Sequence, residues 1–235
     1  MLCEWNDLPK TMQNEEVKPY YLILQDKKTS LYLKRFLDIL LSLVLLILLL
    51  PIFLLLSILI KLDSEGPVFY KQTRITQYGK HFQIFKFRSM TVNADKQGAL
   101  ITSKNDVRVT RVGKYIRKFR LDEISQLINV LLGDMTFVGT RPEVPKYVAK
   151  YSKEMWATLL LPAGITSLAS IHFADESSLL ENSRNIDQDY CKKILPIKMK
   201  YNLSELQNFS VISELKILAL TALVALGIEV KPNNI

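Results

Sequence analysis

The sequence predicts a helix-rich α+β protein, one domain carried on a single long apolar helix. Three observations predict it. Residues 39–60, "ILLSLVLLILLLPIFLLLSILI", hold no charge over 22 positions. Residues 68–90 contain the chain's clearest strand-like alternation, and apolar residues from Leu121 to Leu132 recur at helical spacing. With 235 residues, 49% apolar and 23% charged, the chain suits one folded domain with appended segments rather than a disordered one.

Taken in order, residues 1–33 read as a polar lead-in with a short helix near "EEVKPYYLILQ". The apolar run follows. As a straight helix it would reach about 33 Å, enough to cross a bilayer. It starts too far in, is too long and lacks a small-residue cleavage site for a signal peptide. Pro51 near its middle predicts a bend, because proline removes one backbone hydrogen bond and crowds the preceding turn. Lys34 and Arg35 precede the run, and Lys61 and a basic segment follow it. Basic flanks favour the cytoplasmic side. Two readings fit: a helix bent at Pro51 that returns to the same leaflet, or a tilted single-pass anchor. Asp38 at the edge of the run needs a partner, and Lys34 or Arg35 on the same helix face would serve.

Gly66-Pro67 marks a turn back to water. Two short strands around Tyr78-Gly79 follow, with "FQIFKFR" presenting Phe82, Ile84 and Phe87 as apolar and Lys86 and Arg88 as polar. Residues 93–111 read as an exposed loop. Residues 124–132 read as a helix stopped by Gly133, with Asp122 and Glu123 at its start. "LPAGIT" reads as a turn, and residues 176–208 as polar and mostly helical. Residues 217–228, "ILALTALVALGI", are too short to span and suit a core or interfacial helix.

The charge of +8 and pI of 9.3 point to anionic partners. Between residues 71 and 120 thirteen Lys and Arg face two acids, a local net of +11 that exceeds the whole chain's charge. Cys3 and Cys191 form no metal or redox spacing and read as free thiols in a reducing compartment. His81 and His172 stand alone, and eight glycines make no phosphate loop, so phosphate would fall to Lys and Arg side chains or helix ends. Adjacent acids at a helix start often do no more than oppose the helix dipole. Arg117, Lys118 and Arg120 immediately before them change the balance. An ionised carboxylate among cations can hold a divalent ion, or attack a phosphorus whose charge the cations offset. Neighbours on a helix point about 100° apart, which gives the two acids different roles. The competing reading is a non-catalytic membrane-anchored protein binding anionic lipid or nucleic acid, with Tyr70, Tyr78, Phe82, Phe85 and Phe87 interleaved among the cations.

From residue 34 onward the chain closely resembles the bacterial sugar transferases, monotopic phosphoglycosyl transferases that load a polyprenyl phosphate. "KRFLD", Pro51, "GPVFYKQTRI", "FKFRSM", "VTRVGKYIRKFRLDEISQL", "LLGDMTFVGTRPEV" and "LPAGIT" occur in the family's order. The resemblance implies an α+β, helix-rich single catalytic domain with a Pro-bent re-entrant membrane helix and interfacial amphipathic helices. Residues 34–62 would form that helix, 63–175 the catalytic core and 176–235 a C-terminal extension. Asp122 matches the nucleophile that attacks the β-phosphate of a UDP-sugar, releases UMP and forms a phosphosugar-aspartate. Polyprenyl (undecaprenyl) phosphate then accepts the phosphosugar. Glu123 matches the second acid, which with Asp122 places Mg²⁺. Arg141 and Pro142 match a nucleotide-associated Arg-Pro; Lys86 and Arg88 match "FKFR", and with Arg120 they are the expected phosphate contacts. Pro51, Lys34, Arg35 and Asp38 would bend and anchor the helix at the cytoplasmic face of a bacterial membrane. No nucleic acid is implied; later glycosyltransferases of a capsule, exopolysaccharide or glycoprotein pathway are. The chain departs from the pattern at Leu50, where the family often has Ser, at Thr140, where it has Pro, and after "GIT", where many members continue Gly-Trp-Ala-Gln. The sugar stays open.

Overall fold

A computed structural model describes residues 2–94, 106–174, 179, 185–225, 227 and 228. Helix α1 (Lys18–Asp26) leads into α2 (Lys28–Asp63), a 36-residue helix that runs without interruption through Pro51. The buried side of α2 explains its sequence. Lys34, Asp38 and Ser42, spaced i, i+4, i+8, are 5%, 5% and 0% exposed, so they share one stripe. That stripe continues through Leu45, Leu46 and Leu49 against one core cluster, and Phe53, Leu56 and Ile60 against another. Leu40, Val44, Ile47, Leu48, Leu54, Leu55 and Ile58 stay exposed. The helix therefore turns its polar residues toward protein and its apolar ones outward, the reverse of a surface helix in water.

Asp38 finds its partners across the fold, not on its own helix. Its carboxylate accepts from Thr136 Oγ1 at 2.6 Å and from the Phe137 amide at 3.1 Å. Lys34 donates instead to the Val138 carbonyl at 2.9 Å and pairs with Glu214 at 2.8 Å. Arg35 donates to the carbonyls of Val130 and Leu131. The same-helix pairing expected for Asp38 is thus replaced, because groups of residues 136–138 claim Asp38 and Lys34, and the carbonyls of Val130 and Leu131 claim Arg35.

The predicted hairpin forms. Strands β1 (Phe69–Ile75) and β2 (His81–Phe87) pair antiparallel. The turn puts Tyr78 at φ 59 and Gly79 at φ 74, and Thr76 and Lys80 close it. Of the predicted exposed loop, residues 95–105 lie outside the described residues; Met90 bridges Val109 beyond it. Helix α3 (Arg111–Lys118) begins on Thr110, whose hydroxyl accepts from the Gly113 amide. After the 3₁₀ turn Leu121–Glu123 comes α4 (Gln126–Leu132), two residues later than the spacing suggests. Gly133 ends it at φ 94, as expected of a glycine stop.

Strand β3 (Met135–Val138) is fully buried. The short helix α5 (Pro145–Val148) and a 3₁₀ turn lead to β4 (Ala163–Thr166), which pairs parallel to β3. "LPAGIT" is therefore mostly strand, not turn. Its Gly164 is needed for close approach: a Cβ there would lie 2.2 Å from the Gly139 carbonyl oxygen. Helix α6 (Leu168–His172) follows. Helix α7 (Ile186–Asp189) passes through a π turn into α8 (Leu195–Gln207), and α9 (Val211–Ala225) comes last. On α9, Ile217 is buried while Ile212, Leu215 and Leu223 are exposed. The helix packs on the core, as the first of its two expected roles requires, and shows an apolar outer face. Leu8, Met12, Val17, Tyr20, Leu24 and Leu31 share a core with Leu159, Leu160, Leu203, Leu206 and Phe209. The lead-in and the described part of the extension thus pack into one shared core.

Candidate active site

The acids sit on a 3₁₀ turn, Leu121–Glu123, entered through Arg120. Arg120 takes φ 53, ψ 27, a left-handed conformation unusual for a side-chain-bearing residue. It ends the basic helix α3 and turns Asp122 and Glu123 onto the face of the hairpin. Ser125 pins the turn from below: its hydroxyl, fully buried, hydrogen-bonds the carbonyls of Phe85 and Asp122. Asn129 adds two bonds, accepting from the Phe85 amide at 2.9 Å and donating to the Gln83 carbonyl at 2.8 Å. β2 thereby holds both Lys86 and the acid turn in fixed relation.

A cavity of about 650 Å³ opens over this turn. Eight Lys and Arg line it against two acids, Asp122 and Glu123. The acids are not equivalent. Glu123 is gripped by Arg141 through both guanidinium nitrogens, the Nη1 contact being 3.4 Å, and by Lys86 Nζ at 3.0 Å. Burial pushes its carboxyl up, but Arg141 and Lys86 outweigh that and hold it well below the usual carboxylate range. Asp122 has one ion-pair contact, Lys86 at 3.9 Å. Burial raises its pKa, Lys86 pulls it back, and Glu123 raises it further. Glu123 is thus a fixed anion that organises cations, while the Asp122 oxygens remain open to the cavity.

Mg²⁺ binds through one or two carboxylates with water and phosphate oxygens, not in all-protein cages. Among the described residues no group of three or more His, Cys, Asp or Glu gathers. Asp122, with its open oxygens, and Glu123 beside it fit an ion shared with a phosphate-bearing ligand. Glu123 as found is occupied by two cations, so Asp122 is the better protein ligand of the pair.

Lys86, Arg120, Arg141, Asp122 and Glu123 all line the one cavity. Arg88 lines it too, but its guanidinium is spent elsewhere. It donates to the carbonyls of Ser64 at 2.8 Å, Ile60 at 3.4 Å and Glu65, capping the C-terminus of α2. Two of its three nitrogens thus answer carbonyls at the end of α2, while its buried Nε has no hydrogen-bond partner. Pro142 is buried, and its carbonyl accepts from Arg74 Nη1 at 3.1 Å. Lys34, Arg35 and Asp38 lie at the base of α2 as anchors. Arg74 and Lys198 were not anticipated. Arg74 could have been found: β1 register puts Tyr70, Gln72 and Arg74 on the same face as Lys86. Lys198 carries no local signal.

The family model for bacterial sugar transferases matches residues 29–227. A Bacillus subtilis (strain 168) protein provisionally named an undecaprenyl-phosphate N-acetylgalactosaminyl 1-phosphate transferase is 46% identical over 131 residues, 55% of this chain and 73% of its own length. An Aeromonas hydrophila UDP-N-acetylgalactosamine-undecaprenyl-phosphate N-acetylgalactosaminephosphotransferase is 38% identical over 68% of this chain. A Klebsiella pneumoniae UDP-glucose:undecaprenyl-phosphate glucose-1-phosphate transferase is 35% identical over 82%. The matched part covers only 38% and 40% of the latter two proteins. The three names carry two different sugars.

Proposed function

Since the chain belongs to the bacterial sugar transferase family, we propose that it moves a sugar 1-phosphate from a UDP-sugar to undecaprenyl phosphate and releases UMP. The observation that carries this reading is the division of labour in the acid pair: Glu123 locked by Arg141 and Lys86, Asp122 facing the cationic cavity. An Asp122 oxygen attacks the β-phosphorus, and the bond from that phosphorus to the bridging oxygen breaks. UMP leaves with the bridging oxygen, and a phosphosugar-aspartate remains. An oxygen of the lipid phosphate then attacks the same phosphorus and frees Asp122. Lys86 and Arg141 face the charge that develops on the phosphoryl oxygens. Mg²⁺, held by Asp122 and Glu123 with the substrate's phosphates, would supply further charge neutralisation.

The same reading covers the membrane. Both ends of α2 are fastened to one domain: Lys34, Arg35 and Asp38 to β3 and α4, and the last turn to Arg88 and, through Asp63, to the Val112 amide at 2.9 Å. A helix held alongside one domain at both ends suits entry and exit through one leaflet, with the cavity at the height of the lipid phosphate. On this reading the enzyme sits at the cytoplasmic face, monotopic and re-entrant, ahead of later glycosyltransferases in exopolysaccharide or capsule synthesis. A plain binder of anionic lipid or nucleic acid would gain from losing Asp122, whose charge opposes its ligand.

Intact-protein mass spectrometry tests the mechanism. Parent protein with Mg²⁺ and a panel of UDP-sugars, without lipid, should gain the mass of one phosphosugar from its own donor. Asp122→Asn should gain none, and its UMP release with undecaprenyl phosphate should fall by roughly 10³-fold or more while the fold is kept. UMP release by Asp122→Asn at the parent rate would refute the aspartate intermediate.

A further inference from the structure

The C-terminal extension delivers one buried cation to the floor of the cavity. Lys198 on α8 is 4% exposed and lines the cavity. Its Nζ lies 3.1 Å from the Tyr190 hydroxyl, 3.7 Å from Glu143 Oε1 and 5.2 Å over the Tyr190 ring. The Tyr190 hydroxyl donates to the same Glu143 oxygen. Glu143 is itself 7% exposed and stands two residues past Arg141, the guanidinium that grips Glu123. The backbone of this short run is tied to β1: the Ile75 amide donates to the Glu143 carbonyl at 3.0 Å, and Arg74 to the Pro142 carbonyl. Residues 141–143 are therefore clamped between β1 on one side and the α7–α8 segment on the other.

The charges make that clamp consequential. A buried carboxylate deprived of its cation is strongly unfavourable and recruits any cation within reach. Arg74, Arg141 and Lys198 line the same cavity, and Lys198 contacts Glu143, which stands two residues from Arg141 in the chain. Without Lys198, Glu143 would compete with Glu123 for Arg141. We propose that Lys198 is a positioning residue: by neutralising Glu143 it leaves Arg141 committed to Glu123, and so sets the cation beside Asp122. The role lies in the C-terminal extension, 76 residues from the nucleophile in sequence, and acts through charge balance, not through contact with substrate. Its kinetic readout rests on the transferase reading above; its structural readout does not.

The test uses the full chain in detergent and four proteins: parent, Lys198→Met, Glu143→Gln, and the double variant. Two quantities are read, kcat/KM for the UDP-sugar from UMP release, and hydrogen exchange in the peptide carrying the Ile75 amide. Lys198→Met is expected to lower kcat/KM about tenfold and to speed exchange at Ile75, in line with couplings measured between contacting groups. Removing the stranded charge as well, in the double variant, should bring both quantities back to within about threefold of the parent. A double variant as impaired as Lys198→Met would overturn the proposal, since a substrate contact or a simple packing role predicts no rescue. Parent protein that releases no UMP with any donor would sink the transferase reading alone. The exchange measurement would then decide: faster exchange rescued by Glu143→Gln supports the clamp, and unchanged exchange in Lys198→Met rejects it.

Discussion

Asp38 shows how much one side chain can decide. It is a carboxylate at the edge of an uncharged run, 5% exposed, with one oxygen on a hydroxyl and the other on a backbone amide. Hydrogen bonds to a charged group are stronger than neutral ones, and a partner left behind in the core loses its water for nothing. Asp38→Ala strands the Thr136 hydroxyl and the Phe137 amide where α2 meets β3. The expected loss is about 2–4 kcal/mol, read as a lowered denaturation midpoint in detergent. Asp38→Asn, which keeps an acceptor, should lose less. Equal loss in the two variants would mean that charge, not acceptor geometry, holds the joint.

At the scale of elements, α6, α8 and α9 enclose a second cavity with two carboxylates in it, Glu205 and Glu214. Glu205 accepts from the Leu168 amide at the start of α6, and burial pushes its pKa up to about 8 from an ordinary 4.5. Burial likewise pushes Glu214 up to about 7, although Lys34 pulls it down. Both groups hold a proton in the folded protein that the unfolded chain has released above pH 4.5. Their stabilisation is complete below that pH and is lost as pH rises through about 7 and then about 8. The limiting slope for one proton is about 1.4 kcal/mol per pH unit. His172, lining the same cavity, works the other way: burial lowers its pKa, so its contribution is present above the ordinary 6.5 and lost as pH falls. Unfolding temperatures from pH 6 to 9 should therefore decline in the parent, and the decline should be shallower in Glu205→Gln. An identical profile in both would show that Glu205 titrates normally. No sign of this pair was visible in the chain order, because the cavity forms only when three helices meet.

On the scale of the whole molecule, the outward apolar face of α2 and the exposed Ile212, Leu215 and Leu223 of α9 belong to a chain of net charge +8 whose cations concentrate between residues 71 and 120. A basic surface is drawn to anionic headgroups, while apolar faces leave water. The prediction concerns sidedness. In a background with Cys3→Ser and Cys191→Ser, single cysteines at Lys28 and at Lys61 lie at the two ends of α2, on either side of its uncharged run. Both should react with an impermeant maleimide in inverted vesicles, and neither in intact cells. Reaction of one from each side would mean that α2 crosses the bilayer and that the re-entrant reading is wrong.

The features legible in the chain order are those set by neighbours. The hairpin follows from alternation and from a turn that accepts positive φ; the end of α4 follows from Gly133; the acid pair is exposed by the cations just before it. Local spacing also exposes the apolar helix and its basic flanks. What those groups touch was not legible. Arg88 looks like Lys86 two residues earlier, yet one guanidinium caps a helix while the other cation faces the acids. "LPAGIT" has the residues of a turn and becomes a strand because β3 offers it a buried edge. Asp38 and Lys198 acquire their roles from partners that no spacing rule connects. Chain order alone put a pair of adjacent carboxylates after a run of cations, behind a long apolar helix. Which cation serves which carboxylate is set by the packed fold, because in a buried, low-dielectric site each charge is assigned by distance through space, not along the chain.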